Sequence, residues 1–411
     1  MLPALDPQSI IESNYQDFLT DLTKSTFSGD IEYSYGSRLA VSTDNSIYQK
    51  LPQAVVFPKT IEDLSLIGKM ANPYQDVKFS ARGGGTGTNG QSLTSGIIVD
   101  VSRHMNQVLE VNVEQKWARV QAGVVKDQLN DVLKPLGFFF APDLSTSSRA
   151  TIGGMISTDA SGQGSLVYGK TSDHILGLTS VMADGTVLNT APMALDNAKK
   201  LGQKYTPIAK ITQQLLDTCL GKRQQILDKF PRLNRFLTGY DLEHTLDESL
   251  TTLDISRVIT GSEGSLVFVA EATVNITPIA RFKALVNVKY NSFESALRHA
   301  PSMVAANATS VETVDSNVLN LAKQDMIWHS VESLITEVEG RTVLGLNMVE
   351  YNSNDQADIE QKIATLSRNL DSAENLGVIG YQITYDKADI LKIYAMRKKS
   401  VGLLGKTKGI A

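Results

Sequence analysis

The sequence predicts an α+β fold, and three observations carry that prediction. Short apolar runs rich in Val and Ile alternate with stretches whose apolar residues recur at helical spacing. The chain has 411 residues, 42% hydrophobic and 20% charged, which is ordinary globular usage and room for two or three domains with buried cores. Two loops rich in glycine, serine and threonine fall between strands rather than at helix starts.

Taken in order, residues 1–50 are polar and mixed, with a helical apolar pattern at Ile10, Ile11, Tyr15, Phe18, Leu19 and Leu22. AVVF is a strand stopped by Pro58, and Thr60 with Asp63 resembles a capping box with Asp in place of Glu. Ile61, Leu64, Ile67 and Met70 then continue as a helix. The strand VKFSA runs into the first loop, RGGGTGTNG, and GIIVD is the next strand, giving a β–α–β–loop–β unit. Residues 108–122 read as paired strands, and Val125, Leu129, Val132, Leu133 and Leu136 as a helix ended by Gly137. The second loop runs from Pro142 to Thr171. A hairpin turning at Asp184-Gly185 follows. Residues 195–250 read as a polar helical insertion, and residues 258–278 return to strands. The remainder, 281–411, is a second α+β stretch that opens with strand RFKALVNVKY and helix SFESALRHAPSMVAA.

Charge and composition exclude several functions. With 39 Lys+Arg against 44 Asp+Glu the net charge is −5, which argues against a nucleic-acid binder. No basic run or basic amphipathic helix marks a membrane surface, and no 18-residue apolar stretch marks a span. The lone Cys219 allows no internal disulfide and reads as a buried core thiol. The N-terminus lacks the basic and apolar regions of a signal peptide. The expected location is the cytoplasm, with peripheral association at the inner membrane left open.

The glycine loops carry the chemistry. Gly83, Gly84, Gly85, Gly87 and Gly90 fall in the first, and Gly153, Gly154, Gly162, Gly164 and Gly169 in the second. Glycine lets main chain approach a ligand closely, and successive exposed N–H groups form a concave anion site. Tight turns alone would explain one cluster; two clusters interleaved with hydroxyls point to a phosphate-bearing ligand. Two literal motif matches fail on context. Gly85-Thr-Gly-Thr-Asn-Gly90 has the nicotinamide-dinucleotide spacing, yet a strand begins six residues later and leaves no room for the required helix. Gly164 to Thr171 has the P-loop spacing, yet it follows a polar stretch and leads into a hairpin.

Four pieces in order, LPQAVVFPKTIEDL, ARGGGTGTNG, TIGGMISTDASGQGSLVYGKTSDHILGLTSVMADG and ITGSEGSLVFVAEATVNITP, carry a resemblance over roughly residues 40–280. The chain resembles the FAD-linked oxidases of the p-cresol methylhydroxylase/vanillyl-alcohol oxidase type. Within them it is most similar to the D-lactate/D-2-hydroxyglutarate dehydrogenase branch, in the N-terminal part of the large bacterial form with iron–sulfur domains. The resemblance implies an N-terminal helical segment over 1–42, a two-lobed FAD-binding domain over 43–278 and a partial substrate-cap domain over 279–411. It implies that Arg82, Gly83, Gly84, Gly85, Thr86, Gly87, Thr88 and Asn89 wrap the FAD diphosphate. Pro142, Ser145, Thr151, Gly153, Gly154, Ser157, Ser161, Gly162, Gly164, His174 and Ile175 would line a second strip, with Ile259 and Glu263 near the adenine. Some relatives attach the flavin through a histidine where this chain has Gly85, so the FAD is expected to be non-covalent.

The implied reaction is FAD-dependent oxidation of a D-2-hydroxy acid to the 2-oxo acid. It needs a cation for the substrate carboxylate, a base for the hydroxyl proton and a hydride acceptor. Arg397 matches the family's carboxylate-binding arginine, its other reading being a solvated charge beside Lys398 and Lys399. The family's H-x-H pair does not occur among His104, His174, His244, His299 and His329. The base is therefore expected beyond Ala411, and no metal ligand is assigned in this chain. A divalent metal and an iron–sulfur cluster are expected only with downstream sequence, so the chain reads as part of a longer flavoprotein. His174 reads as a cofactor contact before a catalyst, and His104 as either an active-site or a surface residue. Lys170 reads as a phosphate partner or an exposed charge, and Trp328-His329 as packing. The electron acceptor and homo-oligomerisation stay open. Two other readings remain: a non-catalytic FAD-binding module, and a same-fold flavoenzyme acting on another substrate, such as a reductase of cell-wall precursor synthesis.

Overall fold

The computed structural model describes residues 10–74, 76–233, 239–372 and 376–404. Parts of the predicted N-terminal segment (1–9) and helical insertion (234–238) lie outside them. The chain falls into two units, Met1–Ser161 with Lys170–Pro278 and Gly162–Gly169 with Ile279–Ala411.

The first unit holds two sheets. In one, β1 (Asp30–Glu32), β2 (Ala54–Phe57), β3 (Phe79–Arg82) and β4 (Ile97–Asp100) lie in the order β1-β2-β4-β3, with β2, β4 and β3 parallel. AVVF and IIVD are buried at every position, as a two-faced parallel strand requires. Helix α1 (Ser13–Lys24) buries Tyr15, Phe18, Leu19 and Leu22. Ile10 and Ile11 precede it, and Ile10 is exposed. Helix α2 (Tyr35–Ala40) is short. Helix α3 (Ile61–Ala71) has the expected box: Asp63 N–H donates to Thr60 Oγ1 at 3.1 Å and Thr60 N–H to Asp63 Oδ2 at 3.3 Å.

The second sheet uses β5 (Val108–Asn112), β6 (Trp117–Gln121), β8 (Ile175–Met182), β9 (Val187–Thr190) and β12 (Val267–Asn275), all antiparallel, in the order β5-β6-β12-β8-β9. Two-residue pairs join β7 (Phe138–Phe139) to β13 (Thr277–Pro278) and β10 (Met193–Ala194) to β11 (Thr252–Leu253). The β8–β9 turn has Gly185 at φ +82°, and a Cβ there would sit 2.3 Å from the Ser65 carbonyl. That glycine seats the hairpin tip on α3 and ties the two sheets together. Helix α4 (Lys126–Leu133) leads into a 3-10 turn closed by Gly137 at φ +83°. The insertion holds α7 (Leu195–Gly202), α8 (Pro207–Gly221) and α9 (Arg223–Lys229), and Cys219 of α8 is fully buried.

The second loop is not wholly irregular. It holds α5 (Ile152–Ser157), capped by the Thr151 hydroxyl, and α6 (Ser165–Tyr168). Ile152, Met155 and Ile156 stand at i, i+3 and i+4 and are all buried, a short helical stripe masked by the surrounding Gly, Ser and Thr. Ile259 lies in another short helix, α10 (Ser256–Ile259), rather than in a strand.

In the second unit β14 (Phe282–Tyr290), β15 (Ser310–Asp315), β16 (Gly345–Ser353) and β17 (Val378–Thr384) form an antiparallel sheet in the order β15-β16-β14-β17. Helices α11 (Phe293–Ala305) and α13 (Gln356–Asp371) cover one face, packing on Val286, Val288, Tyr290 and Val349. Helices α12 (Ser316–Lys323) and α14 (Lys387–Leu404) cover the other, over Leu285, Leu346 and Met348. Ile327 and Trp328 pack against that second core, whereas the His329 side chain is exposed.

Candidate functional site

In the first unit a cavity of about 390 Å³ opens between the end of β3, the start of α5 and β12. Its polar side is Arg82 through Gly87, Thr146, Thr151, Gly153, Gly154, Ser157, Thr158 and Glu263. Its apolar side is Val101, Ala122, Leu144, Met155, Val267 and Val269. The lining therefore offers polar groups that can bind charge and apolar surface that can take a flat ring system.

Main chain builds the polar wall. Among the described residues, the N–H groups of Gly83, Gly84, Gly85, Thr86 and Gly87 donate to no protein acceptor. Unpaired main-chain donors are costly unless water or a ligand meets them, and here they line a cavity in sequence. The bare backbone also serves packing. A Cβ on Gly84 would come 2.0 Å from the Arg149 carbonyl oxygen, and one on Gly83 2.1 Å from Thr151 Oγ1. These glycines let the first loop lie against the lead-in to α5. Gly154 differs: an added Cβ would meet only Thr151 Oγ1, at 3.3 Å, and would otherwise face the cavity. The donor run, the two hydroxyl-rich edges and the apolar wall fit an extended diphosphate carrying a ring system.

Arg82 braces this loop rather than offering a free charge. Its guanidinium donates to the Thr43 carbonyl at 2.9 Å, the Val41 carbonyl at 3.3 Å and Ser92 Oγ at 3.3 Å. Burial lowers its pKa, opposed by nearby Asp100 and Asp44. Asp100, its neighbour across the β3–β4 ladder, is raised by burial, with Ser102 donors pulling the other way. Glu263 sits at φ +52°, its N–H fixed to the Ser157 carbonyl at 2.7 Å.

The structure brings together only part of the predicted strip. Arg82, Gly83, Gly84, Gly85, Thr86, Gly87, Thr151, Gly153, Gly154, Ser157 and Glu263 line the cavity. Thr88, Asn89, Pro142, Ser145, Ser161, Gly162, Gly164, His174, Ile175 and Ile259 do not. Ile175 and Ile259 are core residues, and Gly162 and Gly164 belong to the second unit. His174 is buried, with Nδ1 against Asn275 Oδ1 and its ring edge-on to Phe140 at 5.8 Å. Lining residues that sequence reasoning missed include Leu144, Thr146, Met155, Val267 and Val269. Met155 belongs to the short helix α5, and the others come from strand and loop positions whose only signal is the register that folding imposes.

Lys170 is neither exposed nor a wall of this cavity. It is 5% exposed and paired with the equally buried Asp159 at 2.7 Å, because its neighbours bury the stem and a carboxylate must then meet the charge. The histidines are dispersed. His104 binds Asp30 at 2.6 Å, His244 binds Asp241 at 2.9 Å and His299 binds the Tyr290 hydroxyl at 2.9 Å.

In the second unit Arg397 lies on α14 and donates to Glu312 of β15. Nearby, Glu350 is buried and gathers donors from Tyr394, from Lys283 at 2.9 Å, from Asn352 at 2.6 Å and from Gln163 at 3.2 Å. Burial and the Glu350 charge hold the Tyr394 hydroxyl well above its ordinary value.

Comparison with known proteins sets this geometry in context. Residues 52–191 match the FAD-binding domain family, and residues 279–411 the C-terminal domain of FAD-linked oxidases. The whole chain is 53% identical to a D-2-hydroxyglutarate dehydrogenase of Escherichia coli (strain K12), over 41% of that protein. A Pseudomonas putida protein of the same name is 47% identical over 97% of this chain and 40% of its own length. The chain thus spans about two fifths of these relatives. An alkyldihydroxyacetonephosphate synthase structure superposes with a TM-score of 0.67 at 16% identity, covering 98% of this chain and 68% of that one, which shows a shared fold.

Proposed function

This chain belongs to the FAD-linked oxidases, and from that premise we propose that it is the flavin-holding part of an enzyme that oxidises D-2-hydroxyglutarate to the 2-oxo acid. The observation that carries the reading is the run of unpartnered amides from Gly83 to Gly87 facing a cavity with one apolar wall. Those amides, with the Thr86 hydroxyl, would hold the FAD diphosphate, whereas Thr88 lies outside the cavity lining. Thr151, Gly153, Gly154, Ser157 and Glu263 follow the cofactor along the second edge. Gly85 offers no side chain for a covalent link. When bound, FAD supplies the hydride acceptor.

Arg397 takes the substrate's C1 carboxylate and gives up part of its bond to Glu312 to do so. The Glu312 carboxylate orients the Arg397 guanidinium. No residue of this chain is assigned as the base. The domain reading stays 43–278 for FAD and 279–411 for the substrate side, in a cytoplasmic protein whose substrate is a small hydroxy acid. No helix among the described residues is long and apolar enough to cross a membrane.

The test is spectroscopic. The whole protein should purify yellow, and anaerobic D-2-hydroxyglutarate should bleach the flavin band. A colourless protein that refuses added FAD would defeat the cofactor reading. A flavin reduced by NADPH but not by D-2-hydroxyglutarate or D-lactate would favour the reductase alternative. Arg397→Ala should raise the KM for substrate by about tenfold or more with flavin content unchanged, as loss of a bidentate carboxylate partner does. An unaltered KM would remove Arg397 from the site.

A further inference from the structure

The face of the second sheet under α12 and α14 carries a polar pair that the reading above leaves unused. Along β14, Ala284, Val286, Val288 and Tyr290 join the core beneath α11 and α13. Strand pleating therefore puts Asn287 and Lys289 on the opposite face with Leu285. Lys289 is 3% exposed and has no carboxylate partner among the described residues. Its Nζ donates to Thr336 Oγ1 at 3.0 Å, and the Thr336 hydroxyl donates in turn to Gln382 Oε1 at 3.3 Å. Gln382 is anchored through its own amide to the Ser333 carbonyl at 3.0 Å. The direction of this relay leaves the ammonium two unused hydrogens.

Asn287 stands across the ladder from Gln382, is fully buried, and finds no partner for either amide atom. Burial lowers the Lys289 pKa, and no acid opposes that shift. An uncompensated charge and an idle amide on one face are each costly in an apolar interior, and an arriving anion would neutralise the first and give the amide Nδ2 an acceptor. Thr336 is exposed and Gln382 half-buried, so the relay from Lys289 ends at the surface.

We propose that Lys289 and Asn287, positioned by Thr336 and Gln382, form a carboxylate subsite for the second carboxyl group of a dicarboxylic 2-hydroxy acid. This rests on the proposed function, with Arg397 on the C1 carboxylate. A purely bracing lysine would hold the 333–336 turn and show no preference among substrates.

The experiment uses the whole flavoprotein and two substrates, D-2-hydroxyglutarate and D-lactate, which has one carboxyl group. Lys289→Met should lower the ratio of their kcat/KM values by about tenfold, the scale of one charge-assisted contact. An unchanged ratio would overturn the subsite. Should that variant fail to fold, Thr336→Val at the exposed rim and Asn287→Leu carry the same comparison, with a smaller fall expected and the same overturning result. If wild type oxidises neither substrate, the proposed function falls. Calorimetry with glutarate then decides the subsite separately: binding lost in Lys289→Met supports it, and absence of binding to wild type removes it.

Discussion

The cavity of the first unit and the polar face of the second are built from different material. The first is made by main chain: successive glycines bring two loops together and leave a row of amides facing open space. The second is made by side chains spaced along strands and helices, where Glu350, Lys283, Tyr394, Lys289 and Asn287 matter through pairing and burial. The contrast teaches that each region should break differently. Added volume should damage the first, whereas a removed functional group should damage the second.

The largest effect is expected at Glu350. Glu350→Leu strands Lys283 and the Tyr394 hydroxyl, and should cost about 3–5 kcal/mol in urea unfolding of the second unit. A loss below about 1 kcal/mol would mean that this unit is not held by its buried polar groups. Gly84→Val comes next. Its Cβ would press on the Arg149 carbonyl, so about 3 kcal/mol of stability should go together with the flavin.

Gly154→Val sharpens the comparison, because its Cβ would meet only the Thr151 hydroxyl, at 3.3 Å, where one on Gly84 would meet main chain. It should keep its unfolding temperature yet lose at least about tenfold in FAD affinity, read by flavin fluorescence on dilution. Full flavin content in that variant would show that the cofactor does not run past α5. Thr86→Val removes one hydroxyl from a wall built of amides, and should weaken FAD by only about threefold to tenfold.

The smallest effect is a pH dependence. The hydrogen bond to Asp241 raises the His244 pKa above its ordinary 6.5, and that bond to His244 helps lower Asp241 against the opposing effect of burial. A raised histidine contributes stability that is complete below pH 6.5 and fades as pH climbs through the folded value. Lowered Asp241 contributes above its ordinary 3.8 and fades on acidification. The pair should therefore help most between those values. His244 is 47% exposed, so the gain is screened to about 0.5 kcal/mol or less. His244→Gln should flatten the alkaline side of the stability profile. An identical profile in the variant would assign the slope elsewhere.

What could be read from sequence follows the same division. AVVF, the Thr60–Asp63 cap and the Asp184-Gly185 turn are local signals, and each gave its element. The first glycine loop was legible for the same reason, since it lines the cavity through its own backbone. Helix α5 was hidden because six residues of mixed Gly, Met and Ile carry too little periodicity to stand out. The sequence alone offers His174 and Lys170 as contacts to a ligand, and Lys170 alternatively as an exposed charge, because nothing local shows that Asn275 and Asp159 lie beside them in the fold. Val267, Val269 and Leu144 could be located only by knowing which strand crosses which loop. Lys289 and Asn287 sit in a strand whose pattern reads as plain core, and only register sets them apart.

The eight residues from Gly162 to Gly169 bear on how this gene can be divided. They are encoded in the middle of the flavin-side half, yet they belong with the later unit, where Gln163 donates to Glu350. A protein begun at Ile279 would leave that contribution behind, and one ended at Pro278 would carry an orphaned piece of its neighbour. Recombination between relatives should therefore succeed best when the short excursion and the downstream half travel from one parent.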